Sequence, residues 1–306
     1  MRSRDWRWWQ PLLGLLLFAA VFAVANVVLV LFALLTGVGP DLALSDLADP
    51  VVLLITDLSL IVAIPTVWLA WATAHDMRIG WSSSVLGRLR RRLFVPLTLR
   101  ALATVGAGIG LSVLLGLLFD GGGVTGPAPS YGWLLLVVVF TTPLQSAAEE
   151  YVFRGYLSQA IAGWIRAPRA GALVAALVTA ALFSAAHAPP DWITFADRFA
   201  FGLAASAVVW LTGGLEASIV LHAVNNVLVF VLAGAFGQGV ATADVPSGTG
   251  VLFLVLDLFA MGGYVALVAL ARGRLQVETV TPALDLRPRP PSGFPPPPAA
   301  AAPRGW

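Results

Sequence analysis

Cysteine is absent from all 306 residues, which excludes disulfides, thiolate metal sites and a cysteine nucleophile. Lysine is absent too, and all 18 basic residues are arginine. Charge of either sign is scarce at 11% of residues, where a soluble domain carries about a quarter. No basic cluster sits on a soluble domain, which excludes nucleic-acid binding. The chain has no Gly-x-Ser-x-Gly elbow and no His-Glu-x-x-His pair, so two common hydrolytic motifs are missing as well.

What remains is apolar. Hydrophobic residues make up 58% of the chain, and a membrane-spanning helix needs about 20 of them in a row. Eight such segments occur, at roughly 12–36, 51–74, 93–119, 131–164, 170–188, 198–212, 215–235 and 249–271. The fourth has a polar second half, and the sixth is short and begins at Arg198. These segments predict an all-α, polytopic bundle of about eight transmembrane helices. The domain expected is 11–272, with its motif-bearing core at 131–230. Residues 1–10 form a short N-terminal segment anchored by Trp6, Trp8 and Trp9. Residues 273–306 read as a disordered tail, because nine of the 21 prolines fall in 282–306.

Arginine placement sets the expected orientation. With the N-terminus inside, the inner segments hold 16 of the 18 arginines, among them the run Arg88, Arg90, Arg91 and Arg92, together with Arg154, Arg166 and Arg169. The outer loops carry Asp41, Asp46, Asp49, Asp120, Asp191, Asp197 and Asp244, with Arg198 as the basic exception. That asymmetry predicts a multi-pass protein of the cell membrane with both termini cytoplasmic. The 76–92 loop could also meet anionic lipid head groups. Ala23-Val24-Ala25 resembles a signal cleavage site, but the apolar run continues well past it, so an uncleaved helix is expected.

Ionisable groups inside apolar segments are rare and default to a functional-site hypothesis. Three segments carry them: Glu149-Glu150 with Arg154, His187 after Phe183, and His222 with Asn225 and Asn226. Glu150 and Arg154 are four apart in the favourable order for an ion pair. Glu149 lies about 100° further round a helix and lacks this partner, which leaves its carboxylate free to act as a base. His222 and Asn226 are also four apart and share a face, suited to donating to an oxyanion. His75, beside Asp76 at the end of a span, reads as interfacial, with no role assigned.

Depth tests whether these groups can meet. Glu149 lies 19 residues before the Pro168 turn and His187 lies 19 after it, so an antiparallel hairpin brings them level. His222 is eight residues beyond Gly214, about 12 Å deep, while Glu149 is about 28 Å from its own turn. The three meet if the hairpin around Pro168 projects into the cytoplasm. The site is then expected inside the membrane, nearer its cytoplasmic face.

In this order, Glu-Glu-x-x-x-Arg, Phe-x-x-x-His and His-x-x-x-Asn resemble the CPBP family, which includes CAAX-prenyl endopeptidases of the Rce1 type and the Abi proteins of bacteriocin processing and self-immunity. The resemblance covers about 131–230 and implies an eight-helix intramembrane endopeptidase using water as the nucleophile. It implies Glu149 as the catalytic glutamate, His187 as the histidine that helps activate water, and His222 with Asn226 as the oxyanion pair. Glu150 and Arg154 would be organisers, and Phe183 would pack over the site.

Family members are commonly labelled metalloproteases. Glu149, His187 and His222 could supply one zinc ion with a His₂Glu set, and a metal-free, glutamate-activated water fits the same residues. Second-shell carboxylates for the histidines are hard to identify in the sequence. The expected partners are membrane lipids and a substrate, either a peptide or a membrane-anchored, prenylated or leader-type protein. Two other readings remain, a non-catalytic immunity or scaffold protein and a proton-coupled transporter. No inverted repeat supports the transporter.

Overall fold

The computed structural model describes residues 6–37, 47–119, 126–237 and 247–281. Asp41, Asp46, Asp120, Asp244 and the proline-rich 282–306 lie outside the described residues. Among the described residues the chain is helical and has no strand. Eight helices are long and apolar enough to cross a membrane. They are α1 (Gln10–Leu35), α2 (Pro50–His75), α3 (Arg91–Leu118), α4 (Tyr131–Trp164), α5 (Pro168–Ala186), α6 (Trp192–Thr212), α7 (Glu216–Phe236) and α8 (Gly250–Ala271).

Local chemistry sets where several of these helices begin. Asp49 caps α2, accepting from the backbone N–H groups of Val51 and Val52 at 2.8 and 3.0 Å. Asp191 caps α6 through the N–H of Thr194 at 2.8 Å. This cap corrects the sequence expectation for the sixth span, which begins at Trp192 rather than 198. Arg198 then falls inside the helix, and its Nη1 donates to the His187 carbonyl at 3.3 Å.

The fourth span departs from a plain α-helix at two places. At Thr141 the α-helical hydrogen bonding is interrupted just before Pro143, which has no N–H to give. The Thr141 and Thr142 hydroxyls donate there to the buried Asp57 of α2, at 2.6 and 2.9 Å. The second departure is a π-helical stretch over Tyr151–Leu157, directly after Glu150. Such widened turns recur at functional sites because they re-aim side chains.

Two close approaches hold the hairpin of α4 and α5 in place. A Cβ on Gly14 of α1 would lie 1.7 Å from the Tyr156 hydroxyl, so this position takes only glycine as packed. Tyr156 also meets His75 Nε2 at 3.1 Å. His75 is therefore buried rather than interfacial, because α4 covers the end of α2. On the other side, a Cβ on Gly202 of α6 would lie 2.7 Å from Ala180 Cα of α5.

The end of the bundle that holds the 76–92 loop is locked by a second polar cluster. Arg90 is buried and bonds Glu216 twice, from Nε at 2.9 Å and from Nη2 at 2.6 Å. Its Nη1 donates to the carbonyls of Thr212 and Glu278, both at 2.9 Å. Burial works against the Arg90 charge, but Glu216 and Glu278 outweigh it and hold the guanidinium above its ordinary range. Arg92 pairs with Glu278 at 2.9 Å and donates to the Leu275 and Gln276 carbonyls. The arginine run is thus in part structural rather than a free basic patch. Residues 273–281, expected to begin a disordered tail, include the segment that these two arginines hold against the bundle.

Candidate active site

Three helices deliver the site. Helix α4 brings Gln145, Glu149, Glu150 and Arg154, α5 ends in Phe183 and His187, and α7 brings His222, Asn225 and Asn226. The two depths read from the sequence are reconciled: Glu149 Oε2 lies 3.5 Å from His222 Nε2 and 3.8 Å from His187 Nε2. Helix α4, 34 residues long against 21 for α7, supplies the extra length.

Glu150 and Arg154 form the expected pair at 2.8 Å, both fully buried. Arg154 therefore does not lie in an inner loop, and the count of inner arginines drops by one. A buried and an exposed arginine look alike in a polar stretch of sequence. Its Nη2 donates to the Gly202 carbonyl at 3.0 Å, and its guanidinium lies 4.8 Å from the Phe183 ring centroid. The Phe183 ring packs over both imidazoles, with centroids 4.6 Å from His187 and 5.6 Å from His222.

The outer partners of the histidines, which sequence did not identify, are now visible. His222 Nδ1 meets Glu150 Oε1 at 3.0 Å, and His187 Nδ1 meets the Phe183 carbonyl at 2.7 Å. A carbonyl can only accept, so His187 carries its proton on Nδ1. Glu150, already accepting from Arg154, takes the Nδ1 proton of His222 in the same way. Both neutral imidazoles then present a bare Nε2 toward Glu149.

Sequence reasoning also missed Gln145. Its Nε2 donates to Glu149 Oε1 at 2.8 Å, so Glu149 is not free of partners as expected. Gln145 Oε1 in turn accepts from Asn226 Nδ2 at 3.3 Å, and Asn225 Nδ2 donates to Asn226 Oδ1 at 3.2 Å. One amide hydrogen of Asn226 is thereby committed within this chain of donors. The signal for Gln145 was present, since it is an amide in an apolar helix four residues before Glu149 and on its face.

Glu149 Oε2 is buried and has no hydrogen-bond partner. Three acceptors, this oxygen and two bare Nε2 atoms, converge where no protein donor reaches. Leaving the buried Glu149 Oε2 unpaired is costly, while His187, its side chain 32% exposed, borders the site from the open side. The arrangement calls for a proton, a water or a cation between them. Among the described residues no group of three or more His, Cys, Asp or Glu side chains could hold a metal ion. Glu149, His187 and His222, the three side chains expected as a zinc set, are the ones that meet here, with Oε2–Nε2 separations of 3.8 and 3.5 Å.

Fold and site together define a class, a polytopic helical bundle in which a carboxylate and two imidazoles from three helices converge. A family model described as type II CAAX prenyl endopeptidase Rce1-like matches residues 130–228. That stretch carries all three motifs, and over it the chain is similar to the Rce1-like family. The chain is also similar to the uncharacterized protein YyaK of Bacillus subtilis (strain 168), 32% identical over 105 residues. The matched part is 32% of this chain and 34% of YyaK, so the chain spans about a third of the length of the curated relative it matches. No solved structure matches the chain.

Proposed function

We propose that the protein is an intramembrane endopeptidase that hydrolyses a peptide bond of a membrane-associated, prenylated or leader-type protein. The convergence of Glu149 Oε2 with the two Nε2 atoms carries this reading. A water there can donate to Glu149 while keeping an oxygen lone pair for attack. Glu149 takes one proton from the water, and the resulting hydroxide adds to the scissile carbonyl carbon. His187, held by its Nδ1 bond to Phe183, keeps the water oriented.

The tetrahedral oxyanion then needs donors. Asn226 supplies the amide hydrogen that Gln145 leaves unused. The proton that Glu149 takes from the water is relayed to His222 Nε2, 3.5 Å from its Oε2, so that His222, with its Nδ1 proton on Glu150, donates to the oxyanion and returns the proton to Glu149 on collapse. Collapse breaks the C–N bond, and the proton held by Glu149 passes to the leaving nitrogen. Neither a serine nor a cysteine nucleophile is required, in keeping with a chain that has no cysteine. Arginine placement favours a cell-membrane protein whose site lies nearer the cytoplasmic face.

Cleavage of membrane-anchored peptides by the purified protein, beside its Glu149→Gln variant, tests the proposal. Turnover by the native chain, lost in a variant with an unchanged melting temperature, supports it. A folded native protein that cleaves no anchored, prenylated or leader-type substrate would favour the non-catalytic reading. Turnover persisting in the variant would remove Glu149 from the chemistry.

A further inference from the structure

A large cavity shares Arg154 with the cluster around Glu149 but is lined by none of Gln145, Glu149, His187, His222 and Asn226. Helices α5 and α6 are pinned together where Gly202 meets Ala180 and where Ser184 Oγ donates to the Phe195 carbonyl at 2.8 Å. Toward the Pro168 and Gly213 ends they flank a cavity of about 1020 Å³. Its walls include Leu173 and Ala176 of α5 and Leu203, Ala207 and Trp210 of α6. Leu173 and Trp210 are among the exposed apolar side chains of the bundle, at 62% and 57% exposure. In a membrane-spanning bundle those surfaces face lipid, so the walls of the cavity reach the bilayer. The volume suits one long apolar chain.

Charge at the cavity is of one sign. Arg166 and Arg169 line it, and both are exposed. Among the described residues no carboxylate pairs with either. Arg154 lines the cavity too, but Glu150 already neutralises it. An apolar cleft reaching the bilayer, with two unneutralised guanidinium groups beside the Pro168 turn, complements an amphiphile that has one acyl chain to insert and an anionic phosphate head. The cluster at Glu149 plays no part in this complementarity.

We propose that the cleft between α5 and α6 binds an anionic glycerophospholipid, with an acyl chain between the two helices and its phosphate on Arg166 and Arg169. The site is distinct from the Glu149 cluster and does not depend on the proteolytic reading.

The test uses the full chain in vesicles of phosphatidylcholine containing 10% of a brominated-acyl lipid, either phosphatidylglycerol or phosphatidylcholine. Bromine quenches indole fluorescence at contact, and the Trp210 contribution is the difference between the native chain and Trp210→Phe. Brominated phosphatidylglycerol should quench Trp210 at least threefold more than brominated phosphatidylcholine. Arg166→Gln with Arg169→Gln should abolish that preference, and Ala207→Phe, which fills the cleft, should reduce the Trp210 quench by either lipid to the level that surrounding bilayer lipid gives. Millimolar inorganic phosphate should leave the quench unchanged if the ligand is the lipid. Equal quenching by the two lipids, a preference that survives the double variant, or displacement by free phosphate would each overturn the proposal. Displacement by an apolar peptide at equimolar lipid would make the cleft a peptide groove and overturn it equally. A melting temperature within a few degrees of native, for each variant, keeps these outcomes interpretable.

Discussion

Two buried ionic clusters sit in the same bundle and are finished differently. At Arg90, the two bonds to Glu216 and the two backbone carbonyls at Nη1 satisfy the guanidinium. At Glu149, one carboxylate oxygen is held by Gln145 and the other faces two imidazole nitrogens with no donor between them. The first cluster ties the 76–92 loop, the start of α7 and the segment after α8 into one piece. In the second, Glu150, Arg154, Gln145 and the Phe183 carbonyl hold the outer side, yet Glu149 Oε2, Glu150 Oε2 and Arg154 Nε are left without partners. A satisfied buried network is structure, whereas a cluster with its facing acceptors left open is the geometry of chemistry.

Variants should separate the two clusters. The largest effect is expected from Glu149→Gln, which keeps shape and removes the base. Turnover should fall by about 10²–10⁴-fold, the range of a lost general base, with the melting temperature unchanged. Glu216→Gln reverses that pattern. It leaves Arg90 buried with the part-exposed Glu278 as its remaining countercharge, at a cost of about 3 kcal/mol, read as a lowered thermal or denaturant midpoint in detergent.

A smaller effect should follow Gln145→Leu. Glu149 would lose a charged hydrogen bond worth about 1.5–3 kcal/mol, and its Oε2 would no longer be aimed. We expect kcat to fall about 10–100-fold with KM little changed. If KM rose alone, Gln145 would belong to substrate binding instead.

The smallest effect is expected at Glu278, whose carboxylate is 38% exposed. Burial is the largest single influence and pushes its carboxyl up, but backbone N–H donation and the guanidinium groups of Arg90 and Arg92 together outweigh it and hold the carboxyl below the usual range. A depressed carboxyl stabilises the fold above its unfolded pKa, and that stability is lost as pH falls through the depressed value. Glu278→Gln should therefore cost about 0.2–1 kcal/mol at neutral pH, with the two melting curves converging in acid.

Much of the site was legible because a charge in an apolar run stands out. Glu149, Glu150, His187 and His222 announce themselves this way, and the spacing from the Pro168 turn levels the first with the third. Asp57 carries the same signal within α2, though its role in receiving two threonine hydroxyls needed coordinates. Gln145 carries the same signal more faintly, because an uncharged amide stands out less in an apolar helix than a carboxylate does. Arg154 was legible as the partner of Glu150 four residues before it, whereas Arg90 was read as a loop arginine, since nothing local distinguishes a guanidinium facing water from one buried against a carboxylate 126 residues away. The true start of α6 was obscured by Arg198, whose charge argued against a span that Asp191 in fact begins.

The most direct test is a double variant. If Glu149, His187 and His222 act on a single water, removing two members should cost little more than removing the worse one, because groups that act as a unit are non-additive. Activity of Glu149→Gln, His187→Ala and their combination, each with a native-like melting curve, should show the combined loss equal to that of Glu149→Gln alone. Losses that multiply would mean that the carboxylate and the imidazole act at separate points, and would contradict a shared centre.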